Sequence, residues 1–501
     1  MRCASLVVLT VLAACSFTPG GGLGDDDPQI DASPLPVDAS ELDAADLDAT
    51  PLPIDAAIDA VPVCMPSCDS TGMILTTCNA NVPSTEVCAQ GCAVAPAPHC
   101  KQLSPSNGAT LADLDGVTAA LQVPLGRLFL FDSADGSIDN YDLTNLGLPP
   151  IPVRAAGDGL IAGIGFRRTE QAAGRPGLAV WSVAAVTVDA GASLPMHGTM
   201  RFVGVRAAIV LSRGAISIRG AVDAGAGHSL GLDCRECAGP GGGTGATRTA
   251  VATGCAPGGN GEYSSTADET GGAGGGFGTM GANGGDNAVL EGGTAVSILN
   301  CAGPTLIPLQ GGGGGGRGAY TTTSGGAGGV VGGGAGGAIQ LTSLASIGVA
   351  GTADLYAGGR GGEGSVDDYG GGGGGAGGGL LLEAPAVTIG DTAHVTANGG
   401  GGGAGRTANA GEVGNRGSMR ADGGAGDGGG MNNGRGGKGG KESDTITTTL
   451  PSQGNGMVDG TGGGGAAAGR IRINTGPTMP PVIGTTTVFS PSASIGTRPI
   501  E

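Results

Sequence analysis

The chain has 501 residues, of which 110 are Gly and only 13 are aromatic, so a core must be assembled from Ala, Val, Ile and Leu and will be thin. Its formal net charge of −19, with a pI near 4.5, excludes the basic stripe that phosphate binding requires, and with it a nucleic-acid partner.

The N-terminus, "MRCASLVVLTVLAACS", has one Arg, an apolar run too short to span a bilayer, and Leu12-Ala13-Ala14-Cys15. Those four residues match the bacterial lipobox and resemble lipoprotein precursors. The resemblance implies a signal peptide over 1–14, cleavage before Cys15 and acylation of its sulfur, with the lipid bilayer as a partner. Several acyl chains on one residue hold a protein stably, because each buried methylene contributes about 0.8 kcal/mol. Ser16, where Gram-negative lipoproteins retained at the inner membrane commonly have Asp, favours the outer membrane. An ordinary secretory signal is the alternative.

Residues 15–63 read as the lipidated Cys and a disordered Asp/Pro/Ala stalk. Between Asp25 and Asp59 there are 11 acidic residues and no basic one. Such a segment repels itself and has too little apolar surface to offset the entropy of ordering. Fully extended, it would reach on the order of 150 Å. Residues 64–100 hold Cys64, Cys68, Cys78, Cys88, Cys92 and Cys100. Their even number and exported setting predict a disulfide module rather than a zinc site, with 15 connectivities open. Residues 101–176 read as a β-rich N-terminal cap. There Asp132, Asp135, Asp139 and Asp142 miss the DxDxDG calcium spacing and predict a turn with solvated carboxylates.

Four islands then align: "AVWSVAAVTVDAGASLPMHG" from Ala179, "AIVLSRGAISIRGAVDAGAG" from Ala208, "AIQLTSLASIGVAGTADLYAGG" from Ala338 and "GLLLEAPAVTIGDTAHVTANGG" from Gly379. A fifth starts at Arg470. Each reads as three short strands, and the third alternates at period two. The alternation predicts inward columns Leu194, Val222, Leu355, Val395 and Met196, Ala224, Ala357, Ala397. The outward columns are Ser193, Ala221, Asp354, His394 and Pro195, Asp223, Tyr356, Thr396. The expected fold is all-β: a right-handed parallel β-helix, a solenoid with long Gly-rich loop insertions, preceded by the small disulfide-rich module and the stalk. On that reading 177–227 and 338–400 are coils, the latter with a Gly-rich loop. Residues 228–337 and 401–469 are Gly-rich insertions, and 470–501 are the final coil and C-terminal strand.

Of the 110 Gly, 83 lie between His228 and Arg470. Ordering Gly costs more entropy than ordering any other residue, which predicts mobile loops; packed polyglycine strands bonded through their own amides are the alternative. Cys234, Cys237, Cys255 and Cys301 read as two disulfides tying down the first insertion. "CREC" also has zinc or redox spacing, but lacks a second CxxC or a nearby His.

No phosphate-binding GxxxxGK[ST] or HExxH motif occurs, and His99, His197, His228 and His394 assemble no metal triad. No cofactor is expected. Fold analogy supplies one enzymatic alternative, a polysaccharide lyase or glycoside hydrolase acting through Asp223, Asp354 and His394. The lipobox, stalk, six-Cys module and glycine-rich coils together resemble uncharacterised surface lipoproteins of myxobacteria and, more loosely, β-helical adhesins. That resemblance implies an outer-membrane, surface-exposed protein with a structural or adhesive role. Its ligand would be a surface glycan or protein, and Asp223, Asp354, Tyr356 and His394 are the binding candidates.

Overall fold

A computed structural model of the chain describes residues 63–501, apart from 146, 192–195, 230–231, 265–268, 288, 321–329, 366–368, 427–433, 442–451 and 456–459. The signal peptide, Cys15 and stalk lie outside the described residues, as do Ser193, Leu194 and Pro195.

Each island contributes one strand to each of three sheets. The first sheet runs Gly159–Ile161, Ile164–Thr169, Leu178–Val183, Ala207–Ser212, Ala338–Ser343, Gly379–Glu383, Arg470–Thr475, Ser494–Thr497. The second has six parallel strands, from Leu121–Val123 to Val482–Ile483, and the third has eight, from Ile151–Arg154 to Val488–Ser490. Short Val/Ile/Leu-rich strands suit this role because their branched side chains pack well on a pleated surface.

In-register ladders build the core. Trp181, Val210, Leu341, Leu382 and Ile473 form one column of the first sheet. Val188, Ile218, Val349 and Ile389 form one of the second. In the third, Phe129, Met200, Val222, Leu355, Val395 and Phe489 align. Four aromatic side chains gather at the N-terminal end of this core: Phe131 stacks on Phe202 at 4.5 Å, and Trp181 meets Phe131, Phe166 and Phe202. The indole N–H of Trp181 donates to the Gly136 carbonyl at 3.2 Å.

The expectation of a right-handed β-helical solenoid with glycine-rich loops is corrected. The strands form large parallel and mixed sheets of eight, six and eight strands. Ile164–Thr169 and Ile138–Asp142 each join their sheet antiparallel. The central strands of the first sheet are buried on both faces, because Leu178, Val180, Ile209 and Leu381 pack a second core with Ala256, Phe277, Leu306 and Leu309 from the glycine-rich segment. A loop leaving a solenoid would provide no such cover. The predicted third strand of the first island is also displaced. It is Thr199–Val203, with Met200 taking the column given to Leu194, while Met196 is 55% exposed rather than inward.

The glycine segments are packed, and their order has a period of three. The amides of Gly370, Gly373 and Ala376 donate to the carbonyls of Ala319, Gly316 and Gly313. Those of Gly371, Gly374 and Gly377 reach Thr461, Gly464 and Ala467, and those of Gly372, Gly375 and Gly378 reach Glu363, Arg360 and Ala357, all nine at 2.7–3.2 Å. Successive amides therefore turn by a third of a revolution, the period of a polyproline II helix, where a β-strand would alternate. Residues 399–405 and 461–469 repeat the pattern with their own neighbours. The entropy cost of ordering Gly is offset by backbone hydrogen bonds that only side-chain-free segments can approach closely enough to make. A Cβ on Gly373 would land on the Ala273 carbonyl.

Candidate functional site

The candidate residues sit on the third sheet. Arg201, Asp223, Tyr356 and Thr396 form one row, and Ala221, Asp354 and His394 the next. Alternation sends Val222, Leu355 and Val395 into the core and the flanking residues to the other face. That face was expected to be solvated, and this too is corrected. Asp223 is 1% exposed, Asp354 4% and Tyr356 5%, while His394 is half-buried.

What covers them is residues 412–417 of the glycine-rich segment. Arg416 reaches down from it, its Nη2 2.9 Å from Asp223 Oδ2 and its Nη1 2.6 Å from Asp354 Oδ2. Its guanidinium lies 3.9 Å from the Tyr356 ring centroid. The Tyr356 hydroxyl donates to the Gly414 carbonyl at 2.8 Å, and Asn398 Nδ2 donates to the carbonyls of Asn415 and Gly417. Asp223 Oδ2 also receives Arg201 Nη2 at 3.2 Å, Oδ1 accepts the Gly225 amide at 2.9 Å, and His228 Nε2 lies 3.9 Å away.

The two carboxylates answer this setting differently. Burial pushes Asp223 up, but Arg416, Arg201 and His228 outweigh it and hold the carboxyl at about 2. For Asp354 burial prevails, with the Asp223 charge adding to it, over the pull of Arg416 and His394, and its carboxyl is raised. Burial lowers His228, and Arg201, Arg416 and Arg360 reinforce the shift against the pull of Asp223. Burial likewise raises the Tyr356 phenol.

Acid–base work on a glycan needs two carboxyl groups facing substrate, with room between them. Here Asp223 and Asp354 share one guanidinium and face no opening. The side chains that do face one belong mostly to other residues. A cleft of about 560 Å³ is lined by His228, Tyr356, Arg360, Glu412, Asn415 and Arg416. A second, of about 440 Å³, is lined by Asp132, Val203, His228, Cys237, Thr244 and Thr253. Sequence reasoning missed Arg201, Arg360 and Arg416. Arg201 lies on Thr199–Val203, beyond the strand the alternation assigned to the first island, and "GNRGS" around Arg416 carries no local signal at all.

The remaining expected residues are placed as follows. The ten described cysteines pair as Cys64–Cys78, Cys68–Cys92, Cys88–Cys100, Cys234–Cys237 and Cys255–Cys301. The carboxylates of Asp132, Asp135 and Asp142 each accept the amide two residues on, at 2.8–2.9 Å, which is Asx-turn chemistry. They are not all solvated, since burial raises both Asp132 and Asp139. Among the described residues no group of three or more His, Cys, Asp or Glu gathers as a metal cage, and no helix is long and apolar enough to cross a membrane. No family model, curated protein or solved structure matches the chain.

Proposed function

We propose that this chain is an exported lipoprotein, anchored in the outer membrane through acylated Cys15, that displays a rigid β-rich body at the cell surface in a structural or adhesive role. Its ligands would be surface glycans or proteins. The observation that carries this reading is the Asp223–Arg416–Asp354 tie. The acids that a glycan-cleaving enzyme would need are spent on fastening the glycine-rich body to the third sheet. Five disulfides support export, because such cross-links form and persist in oxidising compartments. The lipobox and acidic stalk support a tether.

Detergent-solubilised full-length protein, applied to a glycan array and to polysaccharide depolymerisation assays, tests the role. Retention of a glycan without cleavage is expected. Cleavage that disappears in Asp354→Ala would replace this reading with the enzymatic one. The anchor is tested on the same chain, where Cys15→Ser is expected to abolish acyl labelling; labelling that persists would remove the lipoprotein.

A further inference from the structure

Two of the disulfides outside the N-terminal module have opposite settings. Cys255–Cys301 closes 46 residues, and Cys255 lies in the second core. Cys234–Cys237 closes only three, so it removes far less freedom from the unfolded chain and contributes correspondingly less to stability. Both of its cysteines are half-buried, and Cys237 lines the 440 Å³ cleft together with His228. His228 is also held against the loop by the backbone, since His228–Ser229 pairs antiparallel with Leu232–Asp233, which runs directly into Cys234.

The backbone around the pair is fixed by bonds that do not depend on the sulfurs. The Cys234 amide donates to the Gly227 carbonyl at 3.2 Å, and the Gly227 amide donates to the Cys237 carbonyl at 2.9 Å. The carbonyls of Arg235 and Glu236 accept the amides of Gly334 and Gly245, both at 2.9 Å, and Arg235 Nη1 reaches the Gly361 carbonyl. Opening the S–S bond would therefore leave both cysteines in place. A couple that must open and reclose needs that property, whereas a purely structural cross-link has no use for it.

We propose that Cys234–Cys237 is a redox-active site that exchanges with low-molecular-weight thiols entering the cleft. A thiolate attacks Cys237 Sγ and forms a mixed disulfide; the S–S bond breaks, and Cys234 leaves as a thiolate that takes up a proton. A second thiolate attacks the sulfur of the bound thiol, releasing the oxidised disulfide and leaving the protein dithiol. Two thiols are oxidised and one protein disulfide is reduced. Arg235 and Glu236 lie within the loop, with His228 and Asp132 across the cleft, so the leaving thiolate forms in a mixed-charge setting.

Folded full-length protein is incubated with graded reduced glutathione, alkylated with iodoacetamide and mapped by peptide mass spectrometry. Cys234 and Cys237 are expected to become alkylated at about one-tenth or less of the glutathione that opens Cys255–Cys301, with the circular dichroism unchanged. In Cys234→Ser, the remaining Cys237 thiol is expected to capture glutathione from glutathione disulfide. The proposal is overturned if the pair opens only alongside Cys255–Cys301 as the fold melts. It is equally overturned if Cys237 in the folded Cys234→Ser protein ignores glutathione disulfide.

Discussion

Asp223 shows how a single side chain can govern a large contact. Its carboxylate is the meeting point of Arg416, Arg201, His228 and the Gly225 amide, and it is almost fully enclosed. Removing one partner of a buried ion pair strands the other, so Asp223→Asn is expected to cost about 3 kcal/mol, discounted from the fully buried range because Arg416 is partly exposed. The folded carboxyl, at about 2, lies below its ordinary 3.8. Its stabilisation is therefore complete above that ordinary value and is lost as pH falls from about 3.8 through about 2. Asp354 has the opposite sign. Its raised pKa means that protonating it in mild acid favours the fold, so of these two carboxylates it is Asp223 that contributes to acid-induced loss. Acid titration followed by circular dichroism should show this loss in the wild type and a flatter limb in Asp223→Asn. Equal slopes would mean that the tie contributes nothing.

At the scale of elements, the glycine segments make the sharpest demand on sequence. Gly373 has the Ala273 carbonyl where a Cβ would go, whereas Gly348, on Ser346–Val349, has nothing within 4 Å. Gly373→Ala is expected to destabilise by about 1–3 kcal/mol or more through overpacking. Gly348→Ala is expected to be neutral or to stabilise by about 0.4–1 kcal/mol, since it only narrows the unfolded ensemble. Urea midpoints compare the two, and equal midpoints would deny that the segments are close-packed. The strands themselves were legible, because Val222, Leu355 and Val395 alternate with polar neighbours and do align. In the first island, constant island length puts the third strand at Leu194 and Met196, whereas the strand paired with Ala221–Asp223 is Thr199–Val203. The glycine lattice was not legible. The entropy argument counts what one segment loses, while the compensation comes from three neighbours, two of them distant in sequence, and a run of identical glycines does not reveal which amide faces which neighbour. Arg416 was hidden for the same reason, lying 193 residues from Asp223.

For the whole molecule, sheets and glycine segments are consecutive layers of one hydrogen-bonded body. Ala338–Ser343 receives its neighbours' carbonyls within the first sheet, and the chain entering it, residues 332–337, is bonded into the glycine lattice on either side. Gly379–Glu383 is entered in the same way from residues 370–378, and Arg470–Thr475 from residues 461–469. A strand and the glycine segment that leads into it cannot separate without breaking ladders on both sides, so the two should open together rather than as independent units. Native-state hydrogen exchange distinguishes this from sheets carrying mobile loops. The amides of Gly371 to Gly377 and Gly462 to Ala467 are expected to be protected to the same order as those of Ala338–Ser343, and Asp223→Asn to lower protection in residues 399–417 before the sheets. Exchange of the glycine amides at the rate of an unfolded chain, with the sheets still protected, would return them to the loops that their composition predicts.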